Sequence, residues 1–178
     1  MFPFHIIVAV DSHNGIGKKG LLPWHLKGDM QHFKEITCAS ESEARQNLVI
    51  MGRKTWDSLP SRFRPLPERM NLVLTRDSGF AVPPGVMKAD SLNGALKNLL
   101  RQEFRDQVGQ IFVIGGQQVF EAAIRHPQCQ KLYVTHILKR FDCDAFFPDF
   151  SRQFKKISSS PQLNENGLGY FFAEYMPV

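Results

Sequence analysis

The chain of 178 residues, with 43% hydrophobic and 22% charged residues, has an ordinary globular composition and is long enough to bury a core in one domain over residues 1–178. Its net charge of +5 and pI of about 9.2 come from scattered basic residues interrupted by acidic ones, which argues against a nucleic-acid partner. The apolar run 6–10 is too short to cross a membrane, and three widely spaced cysteines suggest neither a disulfide framework nor a zinc ribbon, so we expect a cytoplasmic protein.

Five apolar runs bounded by turn residues predict β-strands, several of them buried on both faces because hydrophobic and polar residues do not alternate. These runs are HIIVAV (5–10), NLVIM (47–51), NLVLT (71–75), IFVIG (111–115) and KLYVTHIL (131–138).

Helical patterns lie between the strands, at 26–36, directly after Gly52, at 91–104 with Ser91 as the N-cap, and at 117–124. Alternating strands and helices predict an α/β domain with a mostly parallel sheet and helices on both faces. Near the end of the chain, NENG (164–167) predicts a turn into an antiparallel strand, GYFFAEYM (169–176).

Residues suited to binding phosphate follow three of the predicted strands. GRKT (52–55) follows one strand, Arg76 follows another, and Gly115 and Gly116 separate a third from a helix. Ligands of open α/β sheets bind at the carboxyl ends of strands, and glycines before a helix let its amides approach an anion. The three junctions together predict a pyrophosphate site, whereas any one alone is equally well a tight turn beside solvated cations.

The glycines of GIGKKG (15–20) match the pattern G-x-G-x-x-G, but DSHN (11–14) separates them from the strand and LLP (21–23) follows them instead of a helix. We therefore reject a Rossmann site and expect this loop to be a mobile lid. The sequence contains no metalloprotease, serine-hydrolase or P-loop motif, and His126 with Cys129 is interpreted as a surface turn.

One carboxylate has an unusual place in the first predicted helix. Leu26, Met30, Phe33 and Ile36 share one helical face, and Asp29 falls within this apolar stripe. From the residues alone, Asp29 is either a functional carboxylate or a first-turn acid stabilised by the helix dipole, and the apolar residues are equally well part of a core.

Seven segments in chain order resemble the dihydrofolate reductase family and cover the chain nearly end to end. They are IIVAV with GIGKKGLLPW (6–10, 15–24), LKGDMQHF (26–33), LVIMGRKTWDSLP (48–60), RPLPERMNLVLTR (64–76), IFVIGGQQVF (111–120), LYVTHI (132–137) and DAFFP (144–148). The resemblance implies reduction of 7,8-dihydrofolate to tetrahydrofolate, by hydride transfer from NADPH to C6 and protonation at N5, in support of one-carbon metabolism. It also implies a mostly parallel eight-stranded sheet with antiparallel last strands and a cis peptide between the paired glycines. We expect a monomer that binds antifolates and requires neither nucleic acid nor membrane.

The family's pterin pocket, carried over position by position, includes Asp29 as the carboxylate that holds the pterin N3 and 2-amino group. The pocket positions are Ile7, Val8, Asp29, Met30, Phe33, Ile114 and Thr135. The resemblance further implies that Thr135 hydrogen-bonds Asp29, that Trp24 holds a nearby water, and that Arg69 binds the α-carboxylate of the glutamate tail. We expect the N5 proton to come from water admitted beside Leu22 and Trp24 while Asp29 polarises the ring. The sequence leaves open whether burial or the bound pterin dominates the pKa of Asp29.

The cofactor positions implied by the same resemblance converge on the glycine-bounded strand ends and the lid. They are Ala9, Ile16, Leu22, Arg53, Lys54, Thr55, Thr75, Arg76, Gly116, Gln117, Gln118 and Val119. Three positions depart from the family pattern: Phe120 replaces a frequent tyrosine, Asp90 a basic residue near the adenosine phosphate, and Phe63 a polar residue near the glutamate tail. We therefore expect NADPH affinity to depend more on Arg53 and Arg76.

Two alternative functions remain compatible with the sequence. A related pteridine or riboflavin-pathway reductase would share the NADPH positions but would have no use for Asp29 together with Arg69. A non-catalytic pterin or nucleotide binder would keep both pockets, and only NADPH oxidation in the presence of dihydrofolate separates it from an enzyme.

Overall fold

A computed structural model describes residues 2–40, 42 and 44–178. The strands are β1 (Phe4–Val10), β2 (Gly15–Gly17), β3 (Gln46–Gly52), β4 (Met70–Leu74), β5 (Val86–Ala89), β6 (Val108–Gly115), β7 (Cys129–Ile137), β8 (Ala145–Phe146), β9 (Phe154–Ser159), β10 (Leu163–Glu165) and β11 (Leu168–Pro177). The helices are α1 (Lys27–Cys38), α2 (Arg53–Ser58), α3 (Leu92–Asn98), α4 (Gln102–Arg105) and α5 (Gln117–Ile124), with a short 3-10 helix at Ser61–Phe63. Within this described part of the chain, no helix combines the length and the apolar character needed to span a bilayer.

The main sheet is eight strands wide, in the order β10-β11-β7-β1-β6-β3-β4-β5. The six strands from β7 to β5 run parallel, and β11 is antiparallel to β7. A ninth strand, β9, shares the outer edge of β11 with β10, because β10 pairs with residues 168–170 and β9 with residues 173–177. The predicted mostly parallel sheet with an antiparallel C-terminal strand is confirmed.

Helices cover both faces of this sheet, as predicted, and the side chains of β1 show how the core divides. Phe4, Ile6 and Val8 point into a large apolar cluster that includes residues of α3 and α5. Ile7 points to the opposite face, where a smaller cluster contains Trp56 of α2. This alternation fixes which β1 side chains can face a ligand beside α1.

The prediction of one continuous helix at 91–104 is wrong, because the structure has two helices in this segment. Ser91 is the N-cap as predicted, since its hydroxyl accepts the Gly94 N–H at 3.1 Å, but α3 ends at Asn98. Leu99 then turns into the core, where it is 1% exposed, and Arg101 is extended with ψ of 140°, so a separate short helix follows. Helix α1 likewise begins one residue later than predicted, because Leu26 is extended and buried.

Five short strands have no counterpart in the sequence prediction: β2, β5, β8, β9 and β10. They are two to six residues long, and most of their side chains are at least partly exposed. Such strands lack the continuous apolar run that marks a strand buried on both faces. Two of them, β2 and β8, pair with each other in a separate small sheet beside the main one.

Candidate functional site

The face of α1 that carries Asp29 is not packed as an ordinary core face. The buried side chains of this helix are the polar residues Asp29 and Thr37, whereas Met30 is 49% exposed and Phe33 and Ile36 are only partly buried. Met30 therefore does not belong to the core that the apolar stripe alone would suggest. A helix that exposes a methionine and buries a carboxylate departs from ordinary amphipathic packing, and this reversal indicates a binding surface.

Asp29 is 8% exposed and occupies the third position of α1. Burial raises the pKa of this carboxyl above its ordinary value, the negative charge of Glu165 raises it further, and hydrogen bonding with Thr135 acts in the opposite direction. Thr135 is brought to this place by the register of β7, in which it lies opposite Ala9 of β1. Burial is thus the dominant influence on the pKa, and perturbation of this kind is common at functional sites.

Arg69 is an almost completely buried cation at 8% exposure, held from two sides. Its Nε–H donates to the Pro67 carbonyl and its Nη1 donates to the Thr37 hydroxyl, both at 2.8 Å. Thr37 in turn donates to the Phe33 carbonyl at 2.7 Å, and the guanidinium lies 5.8 Å from the centre of the Phe33 ring. These contacts occupy two of the five N–H donors of the guanidinium and leave others for an anionic ligand.

Trp24 is 6% exposed, and its indole Nε1 has no hydrogen-bond partner within the described part of the chain. The ring packs edge-on against Phe141 at 5.4 Å between centroids. Nearby in sequence, Leu21 and Leu22 are 64% and 49% exposed. A buried donor next to exposed apolar residues is a suitable place for an ordered water.

The glycine loop predicted to be a lid is tied to a second loop by backbone and carboxylate contacts. The Lys19 N–H donates to Asp144 at 2.9 Å, and β2 of this loop pairs with β8. Asp11, itself buried, accepts the N–H groups of Gly15 and Phe141 at 2.7 and 2.8 Å. The rejection of a Rossmann site is confirmed, since these glycines lie in a strand and a turn and do not open a helix.

Two glycine-bounded helix starts lie side by side at the carboxyl ends of β3 and β6. These strands are neighbours, with Met51 opposite Gly115, and the Gly115–Gly116 peptide bond is cis, as the resemblance implies. A Cβ atom on Gly52 would lie 3.2 Å from Val119 Cγ2, and one on Gly116 would lie 3.2 Å from Thr55 Oγ1. Larger residues at these positions would crowd the space between α2 and α5.

Cations surround this pair of helix starts. Arg53 and Lys54 are exposed in the first turn of α2, and Arg76 is exposed just beyond β4, the strand next to β3. Arg53 Nη1 contacts Asp77 Oδ2 at 3.1 Å, which links the start of α2 to the residues that follow β4. The three phosphate-friendly junctions predicted from sequence therefore meet along neighbouring strands.

The remaining predicted positions divide between the two faces of the sheet and the loop. Ile7, Ala9 and Ile114 lie on the α1 side, but the Val8 side chain belongs to the large cluster on the opposite face, so only its main chain is available on the α1 side. The other members are partly buried or exposed near the glycine-bounded strand ends and the glycine loop at 15–20: Ile16, Thr75, Gln117 and Gln118. Gln117 accepts the Phe146 N–H at 2.8 Å, which connects the start of α5 to β8.

The sequence reasoning missed two residues of this site, Thr37 and Glu165. Thr37 lies four residues after Phe33, and this helical spacing was the available signal. Glu165 lies in β10, far along the chain, and accepts two N–H groups at the start of α1.

Comparison with known proteins places the chain in a family. A family model described as dihydrofolate reductase matches residues 3–176. The dihydrofolate reductase of Aedes albopictus is 37% identical over 100% of this chain and 99% of its own length, and that of Sus scrofa is 39% identical with 97% of each chain covered. The chain also matches 32% of the length of bifunctional dihydrofolate reductase-thymidylate synthase 2 of Arabidopsis thaliana, at 37% identity.

A solved structure gives the same result. The dihydrofolate reductase of Schistosoma mansoni superimposes with a TM-score of 0.86, at 36% identity and with 99% of both chains covered. An open α/β sheet with glycine-bounded helix starts and exposed cations at the carboxyl ends of neighbouring strands is typical of proteins that bind nucleotides there. Within that class, the chain belongs to the dihydrofolate reductase family.

Proposed function

We propose that this protein reduces 7,8-dihydrofolate to 5,6,7,8-tetrahydrofolate with NADPH as the hydride donor and thereby supplies one-carbon metabolism. The observation that carries the proposal is the pair of buried polar groups on α1, Asp29 near its start and Thr37, which holds Arg69, roughly 12 Å further along the helix. A ligand that reaches both has hydrogen-bond donors at one end and a carboxylate at the other, as dihydrofolate does. Relatives that match over their full length are named dihydrofolate reductases.

At the pterin end, Asp29 would accept hydrogen bonds from N3 and the 2-amino group. Hydride addition at C6 requires a proton at N5, and a negative charge beside the ring favours the protonated form. The indole N–H of Trp24, without a partner among the residues described, would hold the water that delivers this proton. Leu22, exposed beside it, would control the entry of water, so Asp29, Leu22 and Trp24 are the proposed catalytic residues.

At the other end of the cleft, Arg69 would bind the α-carboxylate of the glutamate tail in a bidentate manner. Its contacts with Pro67 and Thr37 fix the guanidinium before the ligand arrives. The apolar groups between the two ends would pack against the rings of the substrate. They are Ile7, Met30, Phe33 and Ile114, with the main chain of Val8 alongside.

The residues at the strand ends fit NADPH. Gly52 and Gly116, where a Cβ would come within 3.2 Å of Val119 and Thr55, let the two helix starts lie close together, so that N–H groups of both could approach one anion. Gly116, Gln117, Gln118 and Val119 would hold the pyrophosphate with Lys54 and Thr55; Arg53, Thr75 and Arg76 would hold the adenosine 2′-phosphate; Ala9, Ile16 and Leu22 would contact the nicotinamide. When bound, NADPH supplies the hydride, and the chain positions it and excludes competing reactions.

NADPH oxidation, followed by its near-ultraviolet absorbance with and without dihydrofolate, tests the proposal. We expect oxidation that depends on dihydrofolate and is blocked by an antifolate that occupies the same cleft. Binding of both ligands without oxidation would instead identify a carrier. Oxidation with a riboflavin-pathway intermediate but not with dihydrofolate would identify a different reductase.

We further propose that the protein acts as a cytoplasmic monomer on small molecules, with no need for nucleic acid or membrane. All three cysteines are free, which suits a reducing compartment. Light scattering of the purified chain, with and without nucleic acid, tests the oligomeric state and the partner, and fluorescence microscopy of a tagged chain tests the compartment. A dimer, a nucleic-acid complex at physiological salt, or a membrane-bound signal would overturn this part.

A further inference from the structure

The start of α1 is capped by a side chain from a distant strand. Leu26, the N-cap residue, has no side-chain hydrogen-bond acceptor to offer the first N–H groups of the helix. Glu165 supplies it instead: its Oε1 accepts the Lys27 N–H at 2.7 Å and its Oε2 accepts the Gly28 N–H at 3.0 Å. Both carboxylate oxygens are therefore engaged by the turn that carries Asp29.

This arrangement changes what Asp29 is free to do. Asp29 occupies the third helical position, from which an acidic side chain commonly reaches back to the N-cap N–H and becomes part of the cap. Since Glu165 accepts the first N–H groups of the turn from outside, the Asp29 carboxyl lies buried beside Thr135 and is not needed as the helix cap. Glu165 thus caps the helix, and Asp29 remains available to bind a ligand.

A second contact fixes the position of the same turn. The Tyr170 hydroxyl occupies the place where a Cβ of Gly28 would lie, so this residue has no room for a side chain. Tyr170 is 4% exposed and pairs with Leu163 in the β10–β11 hairpin that also carries Glu165. The hairpin therefore contacts the first turn of α1 at two adjacent points.

We propose that Glu165 is a positioning residue for Asp29. The double hydrogen bond of Glu165 to the start of α1 fixes where the Asp29 carboxyl lies, and the negative charge of Glu165 acts on the ionisation of that carboxyl. The proposal rests on the proposed dihydrofolate reduction for its kinetic consequences, but not for the geometry. It assigns to the β10–β11 hairpin a direct part in the substrate site.

Glu165 from β10 and Tyr170 from β11 face Asp29, and the nonionisable Thr135 faces it from β7. The N–H groups of Lys27 and Gly28 lower the pKa of Glu165 below its ordinary value, so Glu165 is ionised at neutral pH. Its negative charge raises the pKa of Asp29.

Two substitutions separate the cap from the charge. Glu165→Gln keeps one oxygen acceptor and removes the charge, so the pKa of Asp29 is expected to fall and the acid limb of kcat/KM for dihydrofolate to move to lower pH. Glu165→Ala removes both, so KM for dihydrofolate is expected to rise by about three- to tenfold as the first turn loses its cap. Asp149→Asn is the matched control, because Asp149 is an exposed carboxylate that accepts the Ser151 N–H elsewhere.

Carboxyl-carbon NMR titration of Asp29 gives a readout that does not need activity. The expected result is a lower Asp29 pKa in Glu165→Gln than in the parent and in Asp149→Asn. An unchanged Asp29 pKa in Glu165→Gln would overturn the proposal, and this variant decides the question even if Glu165→Ala fails to fold. A parent protein that binds but does not reduce dihydrofolate would refute the proposed function alone, since the NMR result stands apart from turnover.

Discussion

Replacing Asp29 with asparagine is expected to move stability and catalysis in opposite directions. The carboxyl is 8% exposed, and burial followed by the charge of Glu165 raises its pKa above the ordinary value of 3.8. A carboxyl whose pKa is higher in the folded state reduces the free energy of unfolding at pH values above both pKa values, and this loss disappears as the pH falls below the unfolded value. Asp29→Asn should therefore unfold at a higher temperature than the parent at pH 7, and the difference should shrink towards acid pH.

The effect on hydride transfer has the opposite sign and a larger size. Loss of a charge that promotes proton transfer lowers the rate by about 10² to 10⁴, which corresponds to about 3 to 5 kcal/mol in activation free energy. If Asp29 were only a first-turn acid, its removal would change helix stability by about 0.3 to 1 kcal/mol and leave the rate unaffected. The first interpretation predicts a large loss of rate and the second predicts none, so the rate of hydride transfer distinguishes them.

Stopped-flow measurement of hydride transfer with saturating NADPH and dihydrofolate, across a range of pH, tests the kinetic part. Acid solution supplies dihydrofolate already protonated at N5, so the variant should regain much of its lost rate there while the parent gains less. Glu35→Gln, an exposed carboxylate on the same helix, is the control and should change neither rate nor melting temperature appreciably. An Asp29→Asn variant that melts below the parent at pH 7 and keeps most of its rate would refute the reasoning.

Three further changes test other parts of the molecule. Thr37→Val keeps the side-chain shape but removes the hydroxyl that accepts the Arg69 Nη1–H at 2.8 Å, so it should lower the unfolding free energy by about 1.5 to 3 kcal/mol and raise KM for dihydrofolate. The KM for a truncated pterin without the glutamate tail should be unchanged, and Thr37→Ser should restore both the unfolding free energy and the KM for dihydrofolate. An equal rise in KM for both substrates would place Arg69 outside the site. Arg76→Ala should weaken NADPH binding by about 1.5 to 3 kcal/mol and spare NADH, and calorimetry showing equal losses would contradict the assignment. His5, packed between the rings of Phe112 and Tyr133, has its pKa lowered from 6.5 to about 4 by burial and by the charge of Lys131. The free energy of unfolding should therefore fall by up to about 3 kcal/mol as the pH drops from 6.5 to 4, and urea titrations of His5→Phe should not show this fall. Parallel pH curves for the two proteins would contradict this prediction.

The central strands were predictable because they are buried on both faces. β1, β3, β4, β6 and β7 each retain a run of apolar residues in the sequence, and the predicted bounds differ from the observed ones by at most three residues. Strand β9 exposes five of its six residues, so it has no such run and was missed. The break after α3 depends on the burial of Leu99 against the rest of the core, which local helical periodicity does not contain.

The candidate site was predictable where single residues carry its chemistry and not where contacts across the chain create it. Asp29, Arg69 and the paired glycines are visible in the sequence motifs that resemble the family. The contact between Arg69 and Thr37 spans 32 positions, and that between Glu165 and Lys27 spans 138, so no local pattern records either. Both are side-chain hydrogen bonds whose partners meet only when the sheet has formed.

The residue that caps α1 is synthesised later than the other residues of the site. A growing polypeptide already contains Asp29, Arg69 and both glycine junctions long before the ribosome reaches the β10–β11 hairpin. Until that hairpin docks, the first turn of α1 lacks its acceptor, and β7 lacks its antiparallel neighbour. The residues proposed to hold the nucleotide can therefore assemble earlier than those proposed to hold the pterin. A ligand that binds at Asp29 would stabilise chains whose hairpin has docked, and by mass action it would protect them from proteolysis more than chains whose hairpin has not yet docked.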